Sequence, residues 1–231
     1  MIRRREIPSF VYDPSCVLYL PLWKRDGATF ISDDAYGHLA TVTGATWGIQ
    51  GRTFDGIDDW IIIGDTPFDF ERTSPFALEI WLKTATTDAS SVFSKHGAPD
   101  YTGYTMEVVG TGEIDFNLLN DVSPSQYTQV RSTTQVNNNV WHHILCQNLA
   151  LAGGAGSDIE IYIDGARETT SILTNTLGAN SILNNVNLRL ASRDAGGQPF
   201  NSVVGEAWVY NRTLGLLEAR RNYLATRWRY Q

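Results

Sequence analysis

Short runs with strand character recur along this chain at near-regular intervals, each closed by a turn signal, and that rhythm leaves no room for strand–helix–strand units. Residues 16–23, 60–63 and 76–83 open the series. In the third run Phe76, Leu78, Ile80 and Leu82 fall on one face. Residues 104–109 and 113–118 flank Gly110-Thr111-Gly112, the pattern of a hairpin. Residues 140–146 and 158–163 follow, and the latter run meets Asp164-Gly165, a pair suited to a two-residue turn with positive φ at both positions. Residues 186–190 and 203–210 complete the set. The spacing predicts an all-β sandwich or barrel. One helix is expected over 214–227, with Leu214, Leu217 and Leu224 on one face. Residues 84–102 and 120–139 read as long loops, and the Gly-rich stretch 150–157 reads as a mobile tip.

At 231 residues the chain is long enough to bury roughly three-quarters of its unfolded surface, so its core needs neither disulfide nor metal. There is no internal repeat and no linker. The organisation expected is a basic arm over 1–15 and one domain over 16–231. Cys16 and Cys146 both lie in apolar runs and read as small buried hydrophobes, with one bridge left open. No Cys/His group has zinc spacing, and no apolar run approaches a membrane span. The charged start lacks the apolar stretch of a secretory signal.

The formal net charge of −7 is segregated. Arg3, Arg4, Arg5, Arg220, Arg221, Arg227 and Arg229 against Glu6 and Glu218 give the two ends +5, so the body between them carries −12. An acidic body argues against nucleic acid, whose affinity comes largely from neutralising phosphates. The arginines are candidates for docking onto a partner or a further copy, since a guanidinium holds carboxylates bidentately. Alternatively they fold back onto their own acidic body.

Five stretches in order carry a resemblance. They are Gly51-Arg52-Thr53-Phe54-Asp55-Gly56 with the acidic turn after it, Pro75 through Leu82 around Trp81, Trp141-His142-His143-Ile144, Ile161-Tyr162-Ile163-Asp164-Gly165, and Val209-Tyr210-Asn211-Arg212-Thr213-Leu214 followed by Glu218. The ordered set resembles the laminin-G-like and pentraxin-like branch of the concanavalin A-like lectin/glucanase superfamily. That resemblance implies a jelly roll of two antiparallel sheets. It does not imply one function, because the fold hosts lectins, adhesion modules and hydrolases. One departure concerns the family's paired acidic residues before the last strand, of which only Glu206 is kept here.

The hydrolases of this superfold place acids as Glu-x-Asp-x-x-Glu on one strand face. Here the stretch is Glu113-Ile114-Asp115-Phe116-Asn117-Leu118, so the third acid is missing and the first two read as a solvated face. His142 and His143 are adjacent on a strand, so they point to opposite faces, one in and one out, and cannot share a reacting atom. The Gly-Gly pairs at 153–154 and 196–197 lack the strand-to-helix setting of a phosphate cradle. Asp55, Asp58 and Asp59 form the one constellation with metal potential. Calcium takes six to eight oxygens, and members of this superfold often carry a structural calcium. Glu206 is a further candidate ligand.

These readings favour a non-catalytic binding or adhesion module for a glycan or protein surface. Lys95, His96, Asp100, Tyr101, Gln126, Tyr127, Arg193, Asp194 and Gln198 are its candidate contacts. The expected setting is an extracellular or particle surface, including that of a virus or phage, with homo-oligomer or virion assembly as a structural role. A carbohydrate-active hydrolase is the alternative.

Overall fold

The computed structural model describes residues 13–97, 101–122, 125–193 and 197–231. Among them lie seventeen strands and one α-helix. The strands begin with β1 (Cys16–Pro21), β2 (Thr29–Ile31), β3 (Leu39–Thr43), β4 (Thr46–Gly48), β5 (Gly51–Asp55) and β6 (Trp60–Gly64). Then come β7 (Phe76–Lys83), β8 (Ser90–Gly97), β9 (Thr102–Val108), β10 (Ile114–Val122), β11 (Ser125–Ser132) and β12 (Trp141–Asn148). The series closes with β13 (Ile159–Ile163), β14 (Ala166–Arg167), β15 (Thr170–Asn175), β16 (Leu188–Leu190), β17 (Asn201–Tyr210) and the helix α1 (Leu216–Thr226).

All described pairings are antiparallel, in two sheets. The eight-stranded sheet runs β14-β13-β12-β7-β17-β5-β4, with β1 also pairing β17. The nine-stranded sheet runs β15-β11-β10-β9-β8-β16-β6-β3-β2. Alternation along each strand sends one set of side chains into the space between the sheets. From β7 these are Phe76, Leu78, Ile80 and Leu82, all buried, as the sequence predicts. They meet Tyr104, Met106 and Phe116 of the other sheet, with ring centroids 4.9 Å apart for Phe76–Tyr104 and 5.9 Å for Phe76–Phe116.

The eight-stranded sheet carries a second apolar layer on its outer face, where Tyr19, Trp81, Leu145, Tyr162, Trp208 and Tyr210 form a continuous aromatic surface roofed by α1 and Tyr230. That surface is bulky, so the helix packs on it through its small residues. Ala219, Asn222 and Thr226 are buried, while Leu217 is 81% exposed and Leu224 44%. This reverses the expected helix face: of the three leucines, Leu214 alone is buried, and it lies before the helix begins.

Polar bonds fasten the roof. Trp81 Nε1 donates to Thr226 Oγ1 (2.8 Å), and Asn222 Nδ2 donates to Glu79 Oε2 (3.0 Å). The buried Glu79 Oε1 also lies 2.8 Å from His143 Nε2. Tyr19 and Tyr230 both donate hydroxyls to Glu206, which Arg229 also pairs. The Tyr230 ring rests on Gly205, where a Cβ would stand 2.4 Å from it, so glycine is required there by close approach. Arg212 bridges Asp13 (2.6 Å) and Glu218 (2.8 Å), tying the helix start to the first described residues.

Several loop expectations are overturned. Residues 84–102 contain β8 and residues 120–139 contain β11, because a strand inside a sheet needs its ladder bonds and one apolar face rather than an apolar composition. The 150–157 stretch is tied down. Ala152 and Gly154 N–H groups donate to the buried Asp158 carboxylate, and Arg72 Nη1 donates to Gly153 O (2.7 Å). Asp164 and Gly165 both have positive φ, as the expected hairpin turn requires. His142 and His143 do lie on opposite faces, but neither faces out, with exposures of 8% and 0%. His142 Nδ1 sits 2.9 Å from Asp164 Oδ2 at the strand end. Cys16 and Cys146 are both buried and free, one in the roofed layer and one in the central core. Trp81 is buried and Trp141 half-buried against Tyr230, ring centroids 4.6 Å apart. Among the described residues no helix is long and apolar enough to cross a membrane.

Candidate functional site

The outward face of the nine-stranded sheet is polar where the other sheet's is aromatic. Register sets its residues in three cross-strand rows: Arg131–Asp115–Glu107, then Gln129–Asn117–Thr105–Ser94–Arg189, then Tyr127–Leu119–Gly103–His96. Residues directly opposite stand about 4.5–5.5 Å apart at Cβ, so each row can bond internally. Asn117 Nδ2 donates to Thr105 Oγ1 (3.0 Å). Arg131 grips both oxygens of Asp115 (2.6 and 2.7 Å), and Gln129 Nε2 adds a third bond (2.7 Å). From the loop after β16, Arg193 pairs Glu107. Hydrogen bonding to Asp115, opposed by burial, raises the Arg131 pKa further still.

These groups point away from the core yet are almost removed from water: Asp115 is 1% exposed, Thr105 0%, Ser94 1% and Asn117 4%. The face is therefore a recessed strip rather than a flat solvated one. Its borders are more accessible. Trp60 has the Arg189 guanidinium 6.0 Å from its ring centroid, Tyr127 is half-buried, and Tyr101 is 45% exposed with its ring 5.8 Å from that of His96. A polar floor with fixed donors and acceptors, bordered by aromatic faces and guanidinium forks, can align a polyhydroxylated ligand.

Of the ligand contacts expected from sequence, His96, Tyr101 and Tyr127 lie at one end of this strip. Arg193 lies at the other end, with Gln198, whose carbonyl accepts from Ser91 N (3.0 Å). Lys95 is a correction. It points to the inner side and is 1% exposed, with Nζ 2.7 Å from Asp65 and 2.6 Å from Asp69, so it serves the interior. Gln126 also falls off the outward face, being one residue out of step with Tyr127 and Gln129. Asp100 and Asp194 lie outside the described residues. The strip's own floor was missed. Its signal was polar residues at every second position: Thr105 and Glu107, Asp115 and Asn117, Gln129 and Arg131. Asp115 lies on this face, as expected, but is buried and not solvated.

The register also sets Asp115 directly opposite Glu107, a carboxylate pair absent from any single-strand motif. Both oxygens of Asp115 are already taken by donors and Glu107 is held by Arg193, so neither is placed to hand a proton to a leaving group.

The turn between β5 and β6 carries the chain from one sheet to the other and gathers Asp55, Asp58 and Asp59, with one oxygen of each within 4.8 Å of the others. Asp59 Oδ2 accepts from Asp55 N (2.8 Å), and Asp55 Oδ1 accepts from Ile57 N (2.8 Å). Burial, opposed by that Asp55 N–H and reinforced by the Asp55 and Asp58 charges, raises the Asp59 pKa above its ordinary value. Converging carboxylates that repel one another suit a hard dication, with carbonyls or water filling its remaining positions. Glu206 does not belong to this set. It lies on β17 five residues beyond Asn201, the partner of Asp55, and is held by Tyr19, Tyr230 and Arg229.

The expected docking arginines divide. Arg220, Arg221 and Arg227 face solvent, whereas Arg229 turns inward, pairing Glu206 and stacking 4.0 Å over the Trp23 ring. Arg229 is thus a structural cation, the fold-back outcome. Arg3, Arg4 and Arg5 lie outside the described residues.

A family model described as the concanavalin A-like lectin/glucanases superfamily, of laminin G type, matches residues 55–219. Among solved structures, the fold is similar to the binding domain of Paraclostridial Mosquitocidal Protein 1 (TM-score 0.67, 13% identity, 90% of this chain and 52% of that one). It is equally similar to the botulinum neurotoxin serotype D ligand-binding domain in complex with N-acetylneuraminic acid (TM-score 0.66, 12% identity, 92% and 51%). A Trypanosoma rangeli sialidase matches as well (TM-score 0.66, 14% identity, 93% and 33%). The chain therefore spans about half the length of the toxin binding domains and a third of the sialidase. No curated protein matches by sequence.

Proposed function

The chain belongs to the concanavalin A-like lectin/glucanases superfamily, and from that premise we propose that it is a non-catalytic binding module whose ligand is a glycan held on the outward face of the nine-stranded sheet. The observation that carries this reading is the accessible border of the strip, where Trp60, Tyr101 and Tyr127 flank the partly exposed Gln129, Arg131 and Arg193, which the buried Asp115 and Glu107 beneath them hold in place. Its fixed donors and acceptors match the alternating hydroxyls of a sugar, and its aromatic borders match the apolar sugar face. The fold relatives that support the reading include a toxin domain in complex with N-acetylneuraminic acid. Such a role sets the module at an extracellular or particle surface. No comparison bears on a virus or phage particle.

The test is a glycan array probed with the wild-type chain and with Tyr101→Ala and Trp60→Ala, both changes at the borders of the strip. Binding of a defined glycan set, lost in the variants at unchanged melting temperature, is the expected result. An array without binding, or binding indifferent to both changes, overturns it.

A second reading, hydrolysis, is favoured only by the Asp115–Glu107 juxtaposition and opposed by the donors that occupy both carboxylates. Reducing-sugar release from a polysaccharide panel would support it. We further propose that the Asp55, Asp58 and Asp59 turn holds a structural calcium, which would neutralise their mutual repulsion and stiffen the crossing between the sheets.

A further inference from the structure

We propose that the solvent face of α1, together with the Asp164-Gly165 turn beside it, is a docking pocket for an acidic segment with leucine-like side chains on another protein. The first observation is the reversed amphipathicity of the helix. A surface helix ordinarily turns its leucines to the core. Here Ala219, Asn222 and Thr226 are buried, while Leu216, Leu217 and Leu224 are 52%, 81% and 44% exposed. Grouped on one helix, they are more than the isolated surface leucines every protein carries.

The second observation is shape. Gly165 approaches the helix closely enough that a Cβ there would stand 3.0 Å from Tyr223, and beside this contact the surface forms a cavity of about 550 Å³. Tyr223, Leu217 and Leu224 line it, together with Arg220 and Arg227. Among the described residues neither arginine has an ion-pair partner within 4.0 Å, and Arg227 lies 5.8 Å over the Tyr223 ring. The one acid in the lining, Asp164, is engaged by His142 and by the backbone N–H of His143.

Charge and shape together select the occupant. A two-fold contact with a second copy brings this patch against itself, gathering four unpaired guanidinium groups in one interface. The chain's own first residues carry Arg3, Arg4 and Arg5, of the wrong sign. A bilayer surface is broad and flat and does not enter a pocket. An acidic segment satisfies both features: its apolar side chain fills the space between Leu217, Leu224 and Tyr223, and its carboxylates meet the guanidinium forks at the edge. This site is on the opposite sheet from the glycan strip and does not depend on that reading.

The experiment pans a random peptide library on the full chain and measures the selected peptides by fluorescence polarisation. Expected are peptides with leucine or phenylalanine flanked by aspartate or glutamate. Their affinity should fall at least about tenfold in Arg220→Glu/Arg227→Glu, and also in Leu217→Ser, with melting temperatures unchanged because all three side chains are outside the core. Four results overturn the proposal: no acidic–apolar consensus, affinity indifferent to charge reversal, binding to phosphatidylserine vesicles without peptide selection, and charge-dependent self-association without peptide selection.

Discussion

The two sheets treat their outer faces in opposite ways. The eight-stranded sheet covers its own with Trp81, Trp208, Tyr162 and Tyr210 and then roofs them with α1 and Tyr230. The nine-stranded sheet leaves its own polar and recessed, with Asp115 and Glu107 gripped by arginines and no helix among the described residues laid across it. A sheet face can be made stable by apolar burial or by complete hydrogen bonding, and the two routes leave different surfaces. The first is sealed. The second buries its floor but keeps the guanidinium groups of Arg131 and Arg193 near water, 32% and 28% exposed.

The largest expected effect breaks the roof. Trp81→Ala removes the indole that bonds Thr226 and stacks 4.6 Å from Tyr230, and should cost about 3–5 kcal/mol in urea unfolding. A loss below about 1 kcal/mol would mean that the roof is ornamental and the contrast between the faces false. Next comes the crossing between the sheets. Saturating calcium, at a hundred times its dissociation constant, should stabilise the chain by about 2.7 kcal/mol, an effect absent in Asp58→Asn. Equal melting temperatures in calcium and in chelator would return the turn to a metal-free role.

On the polar face, Arg131→Ala strands the buried Asp115 with Gln129 alone and should cost about 2 kcal/mol, since Arg131 itself is a third exposed. Arg131→Ala combined with Asp115→Ala should recover part of the loss, and a double variant worse than the sum would show that the strip is not a paired network. The smallest effect is acid-dependent. Hydrogen bonding from Arg212, against some burial, holds the Glu218 carboxyl below its ordinary 4.5. A depressed carboxyl contributes stability above its unfolded value and loses it as pH falls through the folded one, so the tie to the helix should fade below about pH 4.5. Both partners are about a third exposed, and the contribution should stay within about 1 kcal/mol. A Glu218→Gln variant with an unchanged acid-unfolding profile would deny the tie any role.

The sequence made the apolar half of the molecule legible and the polar half much less so. Strict alternation in Phe76–Lys83 and the Asp164-Gly165 turn announced their structures because each residue there obeys a local rule. β8 hid in a stretch rich in Ser and Thr and β11 in one rich in Ser, Thr, Gln and Asn, since one face of each looks outward and the ladder that holds them is not written in composition. The polar strip was legible only as scattered members. Asp115 and Glu107 lie eight residues apart in sequence and become neighbours only through register. The leucines of α1 misled because helical periodicity reveals a stripe but not which side the protein will use, and the aromatic layer beneath had room only for alanine, asparagine and threonine.

β17 shares one edge between two partners, β5 through Asn201–Val204 and β1 through Glu206–Tyr210, while its other edge pairs β7. The first strand thus waits for the last, and the Tyr19–Glu206 hydrogen bond closes a separation of 187 residues. Loops of that length must be closed before the contacts that reward closure exist, which places such a topology among the slow folders, on the scale of milliseconds to seconds. Until β17 docks, β1 has no strand partner and β5 has only the short β4 beside it. The last strand is thus the one through which both the first strand and the β4–β5 pair join the rest of their sheet.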